Sequence, residues 1–159
     1  MEPRNSDTGR YNFCITEAKE TDIPAMADLL EILFSIEEDF QCNRELQEQG
    51  LKMLLLTPLA CAMVARAEQK VVGMCTGQLI ISTAEGGPAV LVEDVVVSKE
   101  FRGRGLGRQL LENLERWARH EGATRLQLMA DRNNTEALEF YRHMGWQSTE
   151  LICLRRKDT

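Results

Sequence analysis

No stretch constrains this chain more than Val95-Val96-Val97-Ser98-Lys99-Glu100-Phe101-Arg102-Gly103-Arg104-Gly105-Leu106-Gly107-Arg108. Three β-branched residues, which favour pleated backbone, run into a short polar turn. A glycine-rich loop follows, and a helix leaves the loop directly. Gly103, Gly105 and Gly107 allow positive φ, or an approach to a ligand that a Cβ would block. Leu106, Leu110, Leu111, Leu114 and Trp117 then recur at helical spacing, so the helix has an apolar face. Its first turn aims free backbone N–H groups and the positive end of its dipole at the loop. Arg102, Arg104 and Arg108 stand in the same turn. The arrangement predicts an anion site, with phosphate or pyrophosphate as the obvious anion. A glycine turn that merely joins strand to helix is the alternative on the loop alone.

Two familiar phosphate loops are excluded. A Walker A loop ends in Gly-Lys-Ser/Thr, whereas Gly107 is followed by Arg108 and Gln109. The dinucleotide fingerprint Gly-x-Gly-x-x-Gly fails because the spacing is Gly103-x-Gly105-x-Gly107.

The 159 residues suit one domain over 12–159, preceded by a polar tail, 1–11, that reads as disordered. That tail lacks the apolar core of a secretory signal, and no apolar run would span a bilayer, so a cytoplasmic protein without a membrane partner is expected. The five cysteines are odd in number, widely spaced and free of Cys-x-x-Cys, which argues against disulfide frameworks and metal sites. His120 and His143 sit near helix ends, with no pattern suggesting a metal or a triad. A net charge of −6 disfavours nucleic acid as a partner. Against that acidic background the glycine loop is locally cationic, consistent with an anionic cofactor at one point and a cationic substrate elsewhere.

Along the chain, Asn12 to Glu17 reads as a strand. Thr21 or Asp22 caps a helix with Pro24 in its first turn, and Met26, Leu29, Leu30, Leu33 and Phe34 form its stripe. Ser35 to Asn43 reads as a loop and Arg44 to Leu56 as a second helix, ended by Thr57-Pro58. Cys61 to Ala67 and Val71 to Thr83 form a hairpin. Glu85-Gly86-Gly87-Pro88 turns the chain into a strand over Ala89 to Ser98. The glycine helix stops at Gly122. Thr124 to Ala130 is a strand, Asn133 or Asn134 caps a short helix ending near Met144-Gly145, and Trp146 to Arg156 is a last strand or bent strand pair. The order β-α-α-β-β-β-α-β-α-β predicts an α/β fold. Its mixed sheet is mostly antiparallel, parallel where the glycine helix crosses over, with helices on both faces.

Arg102-x-x-Gly105-x-Gly107 resembles the pyrophosphate loop of the GCN5-related N-acetyltransferases (GNAT family). Asn134-x-x-Ala137-x-x-Phe140-Tyr141, then Gly145-Trp146, is similar to that family's downstream pattern, and the element order agrees across nearly the whole chain. The resemblance implies acetyl-CoA as co-substrate. Its diphosphate would lie on Arg102, Gly103, Arg104, Gly105, Leu106, Gly107 and Arg108, and its pantetheine in a gap where the parallel strands splay. The backbone of Val95, Val96 and Val97 would hold the pantetheine and polarise the acetyl carbonyl. Asn134, with Ala137 in the same motif, would meet the cofactor arm, and Tyr141 would be the general acid. A phenol near pKa 10 facing a thiol near about 8.5 serves mainly by position and hydrogen bonding until the thiolate forms. A ring merely packed in the core is the other reading of Tyr141.

Val92-Glu93-Asp94-x-x-Val97 resembles the small-amine branch, such as the spermidine/spermine acetyltransferases, where the glutamate acts as base through water. Glu93 is then the base candidate and Asp94, beside the substrate, the runner-up. Strict alternation puts Glu93 with Val95 and Val97 on one face and Asp94 with Val92 and Val96 on the other; a bulge would change that parity. A carboxylate near pKa 4.3 is a poor direct base for an ammonium near about 10.4, so burial or a relay must help. A structural charge partner for an arginine is the alternative role. Glu37 and Glu38, beside Asp39, could attract a cationic acceptor or simply be solvated. The expected activity is direct acetyl transfer to a primary amine of a small molecule. A peptide acceptor, a non-catalytic CoA-binding sensor and a homodimer remain open.

Overall fold

The computed structural model describes residues 11–37 and 41–158. Strand β1 (Phe13–Glu17) leads through a 3-10 turn into helices α1 (Ile23–Ile36) and α2 (Arg44–Leu56). Strands β2 (Ala60–Ala67), β3 (Lys70–Ser82) and β4 (Gly87–Val97) follow, then α3 (Leu106–His120), β5 (Leu126–Leu128) and α4 (Thr135–His143). The five strands lie in the order β1-β2-β3-β4-β5, antiparallel except for the parallel β4–β5 pair. This is the mixed α/β sheet that the order of elements predicts.

Alternation along β2 divides the core between the two faces. Ala62 and Val64 join Met74 and Val96 beneath the stripe Met26, Ala27, Leu29 and Leu30 of α1 and Leu51 of α2. Cys61, Met63 and Ala65 point the other way, towards Leu106, Leu110, Leu111 and Leu114 of α3. Those four leucines are at most 1% exposed. Each contributes about 1.5–3 kcal/mol by burial, which makes α3 the main clamp on that face. Gly77 lets α3 come this close: a Cβ there would lie 2.9 Å from Leu114 Cδ1 and 3.0 Å from Val90 Cγ1. At the start of α1, Asp22 takes a two-pronged hydrogen bond from Arg66 of β2, at 2.9 and 2.7 Å. That pair fixes where α1 begins and so where its far end meets the sheet.

Two expectations change. Trp146 to Arg156 forms no strand, and Leu151, Ile152 and Leu154 are largely exposed. The chain leaves α4 through left-handed Gly145, and the Trp146 N–H donates to Tyr141 O at 3.0 Å. The neighbouring β5 is only three residues long, so a further strand would find too short an edge to register on. The strand expected over Thr124 to Ala130 is correspondingly trimmed to Leu126–Leu128. Residues 1–10 of the proposed tail lie outside the described residues. Tyr11 packs its ring edge-on against Phe101, with centroids 5.2 Å apart.

Candidate active site

The site begins where the sheet comes apart. β4 and β5 pair only through Val90–Leu126, Leu91–Gln127 and Val92–Leu128. Beyond Val92 the edge of β4 has no β5 partner among the described residues, and the chain after Leu128 turns away towards α4. The resulting cleft is lined on the β4 side by Glu93, Asp94 and Val95, and on the other by Met129, Ala130, Asp131, Asn134, Ala137 and Tyr141. Leu33 and Glu37, at the end of α1, close it. Glu38 and Asp39 lie outside the described residues.

A bulge in β4 shapes one wall. Thr76 pairs with Glu93, yet Met74 pairs with Val96, so β4 carries one extra residue over this interval. Asp94 takes it up with φ 55, a left-handed conformation uncommon for a side-chain-bearing residue. The strict alternation expected from the sequence therefore fails here: Val92 belongs to the α3 side of the core and Val96 to the α1 side. The Asp94 carboxylate lies 3.1 Å from the Thr76 hydroxyl, which also lies 3.2 Å from Glu93 O. Burial, then the Glu93 charge, push the Asp94 carboxyl up to about 6, with Glu37 adding to them and the Thr76 hydrogen bond opposing. Among the described residues no arginine pairs with either acid.

Tyr141 stands on the opposite wall, reached through the cap of α4. Asn134 Oδ1 accepts the Ala137 N–H at 3.1 Å, which starts the helix and leaves the Asn134 amide nitrogen free of that bond. The Tyr141 ring packs against Phe140 and Trp146, with centroids 5.2 and 5.9 Å away. Burial foremost, then Cys75 and Glu37, push its phenol up to about 12. At neutral pH it is a hydrogen-bond donor.

The glycine loop adjoins this cleft through β4. Gly103 and Gly105 are left-handed, with φ of 75 and 78, and nothing lies within 4 Å of where a Cβ would stand. Gly105 heads α3 with no side-chain cap, and the Gln109 N–H to Gly105 O bond is the first of the turn. The N–H groups of Leu106, Gly107 and Arg108 thus keep the free position that anion binding uses. Gly107 differs from the other two. Its φ is not positive, and a Cβ there would lie 3.2 Å from Phe140 Cζ, so this glycine seats α4 against α3. The Leu106 side chain is core, as is that of Val96; Val95 and Val97 are partly buried on the α3 side, and for Leu106 and Val96 only the main chain remains for a ligand. Arg102 Nε donates to Val97 O at 3.0 Å, tying the loop to the strand end. Arg108 lies 3.8 Å from Glu112, an open i,i+4 pair.

Three participants carry little signal in the sequence. Thr76 is an ordinary strand residue until the bulge brings Asp94 to it. Asp131 accepts the Asn133 N–H at 2.8 Å and so belongs to a turn before it belongs to the cleft. Phe140 has a legible helical spacing, but its contact with Gly107 is tertiary. Cys75 is fully buried with its thiol 3.6 Å from Leu110 O, and burial raises its pKa strongly, so it is no nucleophile. Among the described residues no group of three or more His, Cys, Asp or Glu could hold a metal ion, and no helix is long and apolar enough to cross a membrane.

Comparison with known proteins places these elements. Mouse N-alpha-acetyltransferase 80 is 47% identical over 64 residues, 40% of this chain but only 19% of that protein. The aminoglycoside N(6')-acetyltransferase type 1 of Salmonella typhimurium is 24% identical over 97 residues, 59% of this chain and 67% of that protein. Among solved structures, the aminoglycoside N-acetyltransferase AAC(6')-Iy in complex with CoA superposes with a TM-score of 0.82 at 19% identity, covering 94% of this chain and 97% of the other. The ribosomal-protein-alanine N-acetyltransferase of Brucella melitensis superposes with 0.74 at 20% identity, covering 92% and 100%. At those identities the likeness is one of fold. The model of the Acetyltransferase (GNAT) family matches residues 23–146. That span takes in β4 with its bulge, the glycine loop, α3 and the motif helix α4, and the chain belongs to the GNAT acetyltransferase family.

Proposed function

We propose that the protein transfers the acetyl group of acetyl-CoA to a primary amine of a small cationic molecule. One observation carries the acceptor reading. Glu37, Glu93, Asp94 and Asp131 line a cleft whose described lining includes no Lys, Arg or His, while the adjoining loop holds Arg102, Arg104 and Arg108. Opposite charges are thus sorted into two neighbouring places, one suited to an ammonium and one to a diphosphate.

The loop fits the diphosphate: its two left-handed glycines face open space and its helix start is uncapped. Acetyl-CoA supplies the activated acetyl thioester; the acceptor nitrogen forms the new amide as the thiol departs. The chain's own residues manage the protons. The ammonium must lose one before its nitrogen can attack. Within the Glu93–Asp94 pair we assign that proton to Asp94, directly or through water, because its buried carboxyl is far closer to neutrality than a free one. Glu93 helps by its charge, which raises Asp94. Tyr141 donates its O–H towards the departing sulfur; full transfer from a phenol near 12 to a thiolate near about 8.5 is uphill, so it acts chiefly as a donor. The edge of β4 beyond Val92, which has no β5 partner among the described residues, offers backbone N–H groups for the pantetheine and the acetyl carbonyl.

A protein N-terminus as acceptor is favoured by the 47% identity to mouse N-alpha-acetyltransferase 80. One experiment separates the readings: a panel of mono- and polyamines, aminosugars and peptides of differing N-terminal charge, assayed by release of free CoA thiol. Turnover confined to cationic small amines supports the first reading. Turnover confined to peptides supports the second, and CoA binding without thiol release from any member leaves a binding module.

A further inference from the structure

Tyr11 lies ahead of residues 23–146, the span that matches the family. It nevertheless reaches the glycine loop. Its ring meets Phe101 edge-on at 5.2 Å, and Phe13 meets the same ring at 6.2 Å and 86°. Above them lies Arg104, whose guanidinium carbon is 5.5 Å from the Tyr11 centroid and 5.8 Å from that of Phe101. The other two loop arginines face elsewhere: Arg102 donates to a strand carbonyl, and Arg108 stands 3.8 Å from Glu112. No carboxylate of the described residues lies within salt-bridge reach of Arg104.

We propose that Tyr11, with Phe101, is a positioning residue for the cofactor: the two rings hold the Arg104 guanidinium at the loop so that its charge meets an anionic group of acetyl-CoA. The inference rests on the acetyl-CoA reading above. Arg104 sits between two left-handed glycines, so the backbone on either side does little to restrict it. A guanidinium set against aromatic rings is restrained, yet keeps its in-plane N–H donors for a phosphate. Ordering the side chain in advance reduces the freedom lost when the ligand binds. The N-terminal segment of this chain thereby contributes to a site otherwise built within the family span.

The test is calorimetric titration of the full chain with CoA, alongside steady-state kinetics with acetyl-CoA. Tyr11→Leu keeps an apolar cover over Phe101 but removes the ring; it should raise Kd and the acetyl-CoA KM by roughly two- to fivefold, with kcat unchanged. Tyr11→Phe should restore affinity to within about twofold of the wild type. Arg104→Gln should weaken binding at least as much as Tyr11→Leu, and in that background Tyr11→Leu should add nothing. Wild-type affinity in Tyr11→Leu, or an equal loss whether or not Arg104 is present, would reduce Tyr11 to a packing role and overturn the inference. A wild-type chain that does not bind CoA at all would overturn the cofactor reading beneath it.

Discussion

The glycine loop and the cleft beside it, two adjoining walls of the site, are built by different means. The loop wall uses backbone: two left-handed glycines, an uncapped helix start and a core-facing leucine stripe that fixes the helix. The acid and phenol wall uses side chains brought together from the end of α1, β4, the turn after β5, and α4, with Thr76 of β3 behind Asp94. Backbone binding depends on local conformation, which glycines and periodicity specify directly. The side-chain wall depends on a one-residue bulge and on two strands parting after three pairs. The first wall should therefore govern affinity for the cofactor, and the second the rate and its pH dependence.

Asp94→Asn should break the second wall most severely. Turnover should fall roughly 100-fold, with cofactor affinity kept. In the wild type, kcat/KM should steepen below pH about 6, where Asp94 gains its proton; the variant should lack that extra limb. Stability should move the other way. The Asp94 carboxyl is raised by folding, so the stability tied to its protonated form is complete below about pH 4 and lost as pH rises through about 6. Asparagine mimics that protonated form, so chemical denaturation at pH 7 should show a gain of up to about 3 kcal/mol that vanishes near pH 4. An unchanged pH profile would return the base assignment to Glu93.

Tyr141→Phe comes next. Loss of one donor to the leaving sulfur should lower kcat about tenfold or somewhat more, with CoA affinity within about twofold. Undiminished turnover would make Tyr141 a packing residue only. Gly105→Ala attacks the other wall. A Cβ at a φ of 78 is strained by about 1–2 kcal/mol, and part of the loop's open front closes. The acetyl-CoA KM should rise roughly fivefold or more with kcat nearly unchanged, and a kcat loss without a KM change would contradict the division between the walls. Gly77→Ala, beneath α3, should affect turnover least. Overpacking against Val90 and Leu114 should cost about 1–3 kcal/mol of stability, read as a lower Tm, with KM and kcat retained below the transition.

By itself the sequence determined the elements whose signals are local. The leucine stripe of α3, an asparagine cap for α4 and the stop at Gly122 were all legible, as were the glycines of the loop; that the cap is Asn134 and not Asn133 came from the structure. So was the mixed sheet, because short turns and a helical crossover leave few topologies open. Tertiary structure alone decided the rest. Strict alternation could not say which face Asp94 takes, since a single extra residue reverses parity and nothing in Glu93-Asp94 marks where it enters. Gly107 reads like its neighbours, but its distinct feature is tertiary: a Cβ there would stand 3.2 Å from Phe140 Cζ. The expected strand after Trp146 had apolar residues to recommend it and no adequate edge to join, because pairing depends on the partner as much as on the strand. Contacts within a few residues follow from spacing; those that join β3 to β4, or Tyr11 to Arg104, exist only once the sheet has brought distant segments together.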